Sequence, residues 1–327
     1  MRLTTRFLRA ALACAFTLAA AAAHSEPFPS KPIRMLLGFS AGGSTDTVAR
    51  LYAAKLSEVL KTTVVVENRA GGSQLIAIRA LMAAPPDGYT VFLASASAMS
   101  QGPGVRKDLP YDPLNDFTPI ALVGTTQGAI VASPSLPVKS MDELIEYARK
   151  HPGELNYGSS GLGSASHLQA EYMLNVAGIK MTHIPYKADA EIMTAMAQGS
   201  VQMGISPLQG ALPVVETGRV RMLAVTGHER LAALPDVKAL SEVAAVPGLA
   251  DVEPYTYYAL MGPKGMPADV VTKINAAVNE VSRMPQAVAY LHERMYEPGT
   301  GSPEDLRAYI AHDLEKWRKF SQQVKLD

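Results

Sequence analysis

Ser40 lies in the stretch GFSAGGSTD, residues 38–46, whose first five letters fit G-x-S-x-G. That pattern marks the elbow that lifts a nucleophilic serine onto a tight strand-to-helix turn in esterases. The same letters describe a glycine-rich loop whose backbone N–H groups hold an anion. A hydrolase elbow follows several strands, one of which feeds the oxyanion hole. Here a single strand precedes Ser40, and no HGGG-like stretch occurs. A serine triad also needs a base. His167, His183 and His228 lie downstream, but none stands in a selecting pattern. The chain lacks a P-loop ending, a helix-opening GxGxxG and an HExxH, and its seven histidines are scattered. A phosphate site, a metal site and a cofactor are therefore not expected.

The cradle reading accounts for more residues. Gly42 and Gly43 let the backbone approach a ligand, with Gly43 expected at a positive φ. Ser44, Thr45 and Asp46 then open a helix whose unpaired N–H groups and positive dipole end point at the loop. YGSSGLGSASH repeats the plan, with Ser159, Ser160, Gly161, Gly163 and Ser164 between a strand and a helix start. In open α/β sheets ligands sit beyond the carboxyl ends of the strands. Two such loops facing one another would aim two helix N-termini and several hydroxyls into one cleft. A carboxylate is the natural occupant.

The elements that must position these loops follow from periodicity. PIRMLLGFS, TTVVVEN and YTVFLAS read as strands, separated by helices over STDTVARLYAAKLSEVL and SQLIAIRALMAA. A second run reads the same way. GAIVAS, LNYGSSG, MTHIPY, VQMGIS and RMLAVTG are strands, with a helix over SMDELIEYARKHPG capped by Ser140 and another over SASHLQAEYMLNVAG closed by Gly178. YYALMG supplies one more strand. Two amphipathic helices follow, one starting at Pro267, the other capped by Ser302 and carrying Leu306, Ile310, Trp317 and Val324. The expected fold is α/β, two halves in tandem, each a mostly parallel sheet flanked by helices.

Bulk features set the compartment. Arg2, Arg6 and Arg9 precede an apolar, alanine-rich run over residues 10–23, the layout of a secretory signal over residues 1–25. The run is too short for a good membrane span. The single cysteine, Cys14, lies inside it and too early for a lipid anchor. Losing three of the 30 basic residues leaves 27 against 30 acidic ones, a formal charge of −3. With no basic tract, nucleic acid is a poor partner. About 300 residues remain, room for two domains on a rough prior of ~150 each.

Seven stretches appear in order and at plausible spacing: SKPIRMLLGFSAGGSTDTVAR, VVVENRAGG, APPDGYT, LPYDPLNDFTPIALV, LNYGSSGLGSASH, HIPYKA and RMLAVTGHERLAALPDV. Together they resemble the Bug, or TctC-like, family of periplasmic receptors of tripartite tricarboxylate transporters, over essentially the whole mature chain. The resemblance implies a two-domain Venus-flytrap binding protein of type II-like build, monomeric and without catalysis. It implies a mono-, di- or tricarboxylate ligand, aromatic acids included, and membrane permease partners. It also implies domain 1 over residues 26–125 and 251–327, and domain 2 over 126–250. Carried over residue by residue, the loop Phe39, Ser40, Ala41, Gly42, Gly43, Ser44 and Thr45 should wrap a ligand carboxylate. Ser95 and Ser97 should line the cleft wall. Ser160, Gly161, Ser164 and His167 should form the other domain's share, with Ser206 at the end of a further strand. Where many members carry Asp-Asn, this chain has Ser206-Pro207, which argues against an amino-acid ligand. The competing readings are a secreted serine hydrolase using Ser40 and a ligand-sensing receptor of the same fold.

Overall fold

A computed structural model describes residues 27–186, 189–227, 229–231, 234–252 and 256–323. The signal-like stretch, His228 and Val324 lie outside the described residues. The chain begins with β1 (Ile33–Leu37), α1 (Ser44–Leu60), β2 (Val64–Asn68), α2 (Leu75–Met82) and β3 (Thr90–Ser95). Val48, Tyr52 and Leu56 of α1 are buried at helical spacing, as the sequence pattern requires. A π-turn at Ser97–Gln101 and the short α3 (Gly102–Val105) lead to β4 (Phe117–Thr126).

After the single residue Gln127 the chain enters a second sheet. Its elements are β5 (Gly128–Ala132), α4 (Met141–Lys150), β6 (Asn156–Ser159), α5 (Ala165–Ala177), β7 (Thr182–Pro185), α6 (Asp189–Ala197), β8 (Met203–Pro207), α7 (Leu208–Glu216) and β9 (Arg221–Val225). The chain then returns to the first sheet as β10 (Thr256–Pro263), α8 (Ala268–Val281), α9 (Pro285–Glu293), β11 (Tyr296–Pro298) and α10 (Pro303–Gln323). The first sheet has the order β11-β4-β10-β3-β1-β2 and the second β7-β6-β8-β5-β9. Each sheet and its helices form one lobe with its own apolar layers, so the polypeptide crosses between lobes twice.

The two-lobed α/β architecture matches expectation, but the sheets are mixed. Only β2-β1-β3 and β7-β6-β8 run parallel. β10 is antiparallel to β3 and β4, and β5 is antiparallel to β8 and β9. Parallel pairing needs a helical crossover that turns the chain round. Strands that arrive from the other lobe have none.

Caps behave as read. The Ser140 hydroxyl accepts from the N–H of Glu143, and Ser302 Oγ accepts from the N–H of Asp305. Gly178 closes α5 in the left-handed region. The elements absent from the sequence reading have physical reasons. β4 carries Pro119 and Gly124, residues depleted in strands, and its ladder with β10 shifts register twice. Helices α6, α7 and α9 have nine residues each, and α7 contains Pro213, which obscures its pattern.

Candidate ligand-binding cleft

Between the lobes lies a cleft of about 1010 Å³. From the first lobe it is lined by the Gly38–Gly43 loop, Thr45, Gln74, Ser95 and Ser97. Ser160, Ser164 and His167 line it from the second. The first-lobe loop is moored by Asp46, which is 3% exposed. Its carboxylate accepts from Gly42 N at 2.9 Å, Arg50 Nε at 2.8 Å and Asn68 Nδ2 at 2.9 Å. The guanidinium of Arg50 and these donors hold the Asp46 pKa down at about 2. Asn68 also donates to Phe39 O, clipping the near end of the loop.

Gly42 sits at φ +84, where an L side chain is strained. The expected positive φ at Gly43 is not found. Gly43 has φ −78 and is the N-cap of α1, which has no side-chain cap. The helical ladder begins with Thr47 N donating to Gly43 O. The helix start thus lies at the cleft with no side-chain cap, and Asp46 in its first turn bonds the loop's Gly42 N–H instead.

The second lobe does not repeat this arrangement, contrary to the expected pair of open cradles. Ser164 Oγ caps α5 by accepting from His167 N. Ser160 N donates to Ser166 Oγ, Gly161 N to Ser159 Oγ, and Gly163 N to His167 Nδ1. The serine-rich sequence that suggested a nest satisfies its own donors. This lobe offers hydroxyl groups and a carboxyl group, that of Asp189, instead.

Two of the expected residues, Gly161 and Ser206, are not among the described residues of the cleft lining. Gly161, at φ +109, turns the loop behind Ser160. Ser44 contributes to the helix start. Ser206 is fully buried on β8, and its hydroxyl has no partner among the described residues. Successive strand residues face opposite ways, so Pro207 reaches the cleft and Ser206 does not.

Conversely, the sequence reading passed over Gln74, Arg106, Tyr111, Asp189, Thr256 and Tyr258, all on the lining. Gln74 adopts φ +74 and donates from Nε2 to Ser95 Oγ at 2.7 Å and Ser97 Oγ at 2.9 Å. Tyr258 OH lies 3.3 Å from Thr45 Oγ1. Arg106 is exposed and forks onto Asp108. The Gly-Gly-Ser before Gln74 was the available signal for a special backbone. Nothing local marks Arg106 or Asp189.

Behind the second-lobe loop stands a stack of rings, Tyr157 and His167 buried and His183 half-buried. His167 and His183 have centroids 4.2 Å apart, and Tyr157 lies 5.0 Å from His183. Ser159 Oγ meets His183 Nε2 at 2.6 Å, and the Tyr157 hydroxyl donates to Glu171. Burial, with His167 adding to it, depresses His183 to a pKa of about 4. His167 is lowered by burial too. Both rings are therefore neutral in the fold, while the unfolded chain takes up protons below about 6.5. Stability contributed by the neutral rings is complete above 6.5 and is lost as pH falls towards 4. The melting temperature should accordingly decline across that window, and His183→Gln should flatten the decline. An unchanged slope in the variant would contradict this account.

Neither ring bonds to Ser40; both serve the second-lobe loop. Among the described residues no group of three or more His, Cys, Asp and Glu is placed to hold a metal ion, and no helix is long and apolar enough to cross a membrane.

Residues 48–326 match the model of the tripartite tricarboxylate transporter family receptor, TctC. The chain belongs to this family. A UPF0065 protein of Bordetella pertussis is 33% identical over 98% of this chain and 97% of its own length. Among solved structures, R. palustris Rpa4515 with adipate is 34% identical with a TM-score of 0.79, covering 90% of this chain and 97% of that one. The periplasmic binding protein BugD is 29% identical with a TM-score of 0.76, covering 92% and 99%.

Proposed function

We propose that this TctC-family chain is a periplasmic receptor that captures a small organic acid between its lobes and delivers it to the permease subunits of a tripartite transporter. The observation that carries the reading is the uncapped start of α1, with the Phe39–Thr45 loop, opening into a cleft that a second lobe covers. In this reading Ser95, Ser97, Ser160, Ser164 and His167 complete the ligand's surroundings, and Gly161 shapes the loop behind them. Residues 26–125 and 251–327 form one domain, 126–250 the other. The protein works as a monomer without turnover, after a leader over residues 1–25 has taken it across the membrane. Capture of a carboxylate is supported by the likeness to a protein solved with adipate. A handful of charge-assisted hydrogen bonds at roughly 1.5–3 kcal/mol each, less ordering costs, reaches micromolar affinity, on the order of −8 kcal/mol.

A thermal-shift screen over mono-, di- and tricarboxylates, followed by calorimetry, tests the reading. At least one acid should raise the melting temperature and bind with a Kd near micromolar. Ser40→Ala should retain that binding to within about three-fold, since it removes one exposed hydroxyl. Neither protein should hydrolyse short-chain nitrophenyl esters. Ester turnover that vanishes in Ser40→Ala would replace the receptor with a hydrolase.

A further inference from the structure

Two charged residues are found among the described residues that line the cleft, and they differ in how their charge is used. Arg106 is exposed and neutralised by a two-pronged contact with Asp108. Asp189, at the first position of α6, has no such counter-charge among the described residues. Its carboxyl takes a hydrogen bond from the Ser160 side chain, and Oδ1 is buried without a partner among the described residues. Ser160 in turn shares its hydroxyl with Ser166 at 3.0 Å, so the local donors are already committed. Burial pushes the Asp189 pKa up, the response of a carboxylate short of compensation.

The cleft is therefore polar in an asymmetric sense. The first lobe presents an uncapped helix start, which favours an anion. The second lobe presents a carboxyl group beside hydroxyls whose backbone donors are spent inside their own loop. A ligand that spans the two walls with a carboxylate at each end would set its second anion beside Asp189. Like charges at close range in a partly desolvated site disfavour that arrangement. A ligand ending in a donor would instead give Asp189 the bond it lacks.

We propose that Asp189 is a specificity-determining residue, and that the cleft prefers organic acids whose far end carries a hydrogen-bond donor, hydroxyl or ammonium, over those with a second carboxylate. This rests on the carboxylate-capture reading given above. The two donor types share one chemistry and are separated by the test.

Adipate, its ω-hydroxy counterpart and its ω-amino counterpart have the same chain length and differ at one end. Calorimetric titration of the mature protein with each, and with matched trios of shorter and longer chains, measures the preference. The wild type should bind a donor-ended acid at least about ten-fold more tightly than the matched diacid, the scale of one charge-assisted hydrogen bond. The better of the hydroxy and amino acids identifies the donor. Asp189→Asn, whose amide can donate to a carboxylate, should abolish or invert the preference. Asp189→Ser, which cannot oppose a second anion with charge, should erase it. Melting of the ligand-free variants close to the wild type keeps the comparison clean, and the ratio of affinities within one variant is insensitive to a general loss of fold. A diacid bound best by wild type, or a preference that survives in both variants, overturns the role of Asp189 while leaving carboxylate capture intact. Binding of no acid in any trio removes the capture reading and this one with it.

Discussion

Gly42→Val is expected to weaken binding of the best organic acid by about 10–100-fold while leaving the protein folded. The φ of Gly42 is +84. An ordinary L-residue there costs roughly 1–2 kcal/mol, and a β-branched one is a genuine outlier. Nothing lies within 4 Å of an added Cβ, so the penalty is conformational rather than steric. The loop relieves it by moving. Gly42 N then leaves the Asp46 carboxylate that it meets at 2.9 Å, and the mooring of the Phe39–Thr45 segment loosens. Because the segment is a surface loop at the cleft, its rearrangement costs binding more than global stability. Gly43→Ala is the matched control. With φ −78 and its nearest neighbour, Ser40 O, at 3.7 Å, that position accepts a methyl group, and affinity should change by less than about three-fold. Calorimetry on both variants and on Arg106→Ala decides what holds the anion. If Gly42→Val binds like wild type while Arg106→Ala abolishes binding, a guanidinium rather than the helix start carries the carboxylate.

Trp317→Ala should destabilise the protein by about 3–5 kcal/mol, the usual cost of truncating a buried tryptophan. Trp317 is 1% exposed on α10, and a Cβ added at Gly104 would meet its Cβ at 2.3 Å. Its indole Nε1 donates at 3.1 Å to Asp313, which also accepts from Ser100 Oγ at 2.5 Å and from Lys316 Nζ at 2.7 Å. The same ring packs 5.8 Å from Tyr172 and in one cluster with Leu168, both on α5 of the second lobe. Trp317 is the single tryptophan of the chain and sits where the lobes touch. Ligand-driven closure of the wild type should therefore change its fluorescence. Tyr172→Ala should shrink that change with a much smaller loss of stability. Urea unfolding followed by circular dichroism gives the first quantity, and ligand titration followed by fluorescence gives the second. A loss below about 1 kcal/mol for Trp317→Ala would show that the ring is not part of the packed core.

Periodicity alone located β1, α1, β2, α2 and β3, because each is an apolar run bounded by glycine, proline or a cap. The caps at Ser140 and Ser302 are local bonds, so residue type and spacing sufficed for them. The Phe39–Thr45 loop was readable for the same reason: glycines before a helix start specify a backbone approach within one segment. The ordered set of short stretches added the family, which no single stretch carried.

Tertiary structure decided the rest. Whether β4, β10 and β11 join the first sheet depends on pairing across more than a hundred residues, and β4's Pro119 and Gly124 hide its strand character. The two serine–glycine loops look alike as strings, yet one leaves its helix start uncapped and the other closes on itself. That difference arises because Ser159, Ser164, Ser166 and His167 find the loop's own N–H groups, whereas α1 begins at a glycine. Ser206 and Pro207 are neighbours in sequence, but strand alternation sends only Pro207 to the cleft. Gln74, Arg106 and Asp189 come from three separate segments, and only the packing of two lobes sets them around one cavity. Local spacing fixes helices, caps and turns because their bonds span a few residues. The composition of the cleft, and the carboxylate of Asp189 within it, follow from contacts between segments far apart in the chain, which residue order does not display.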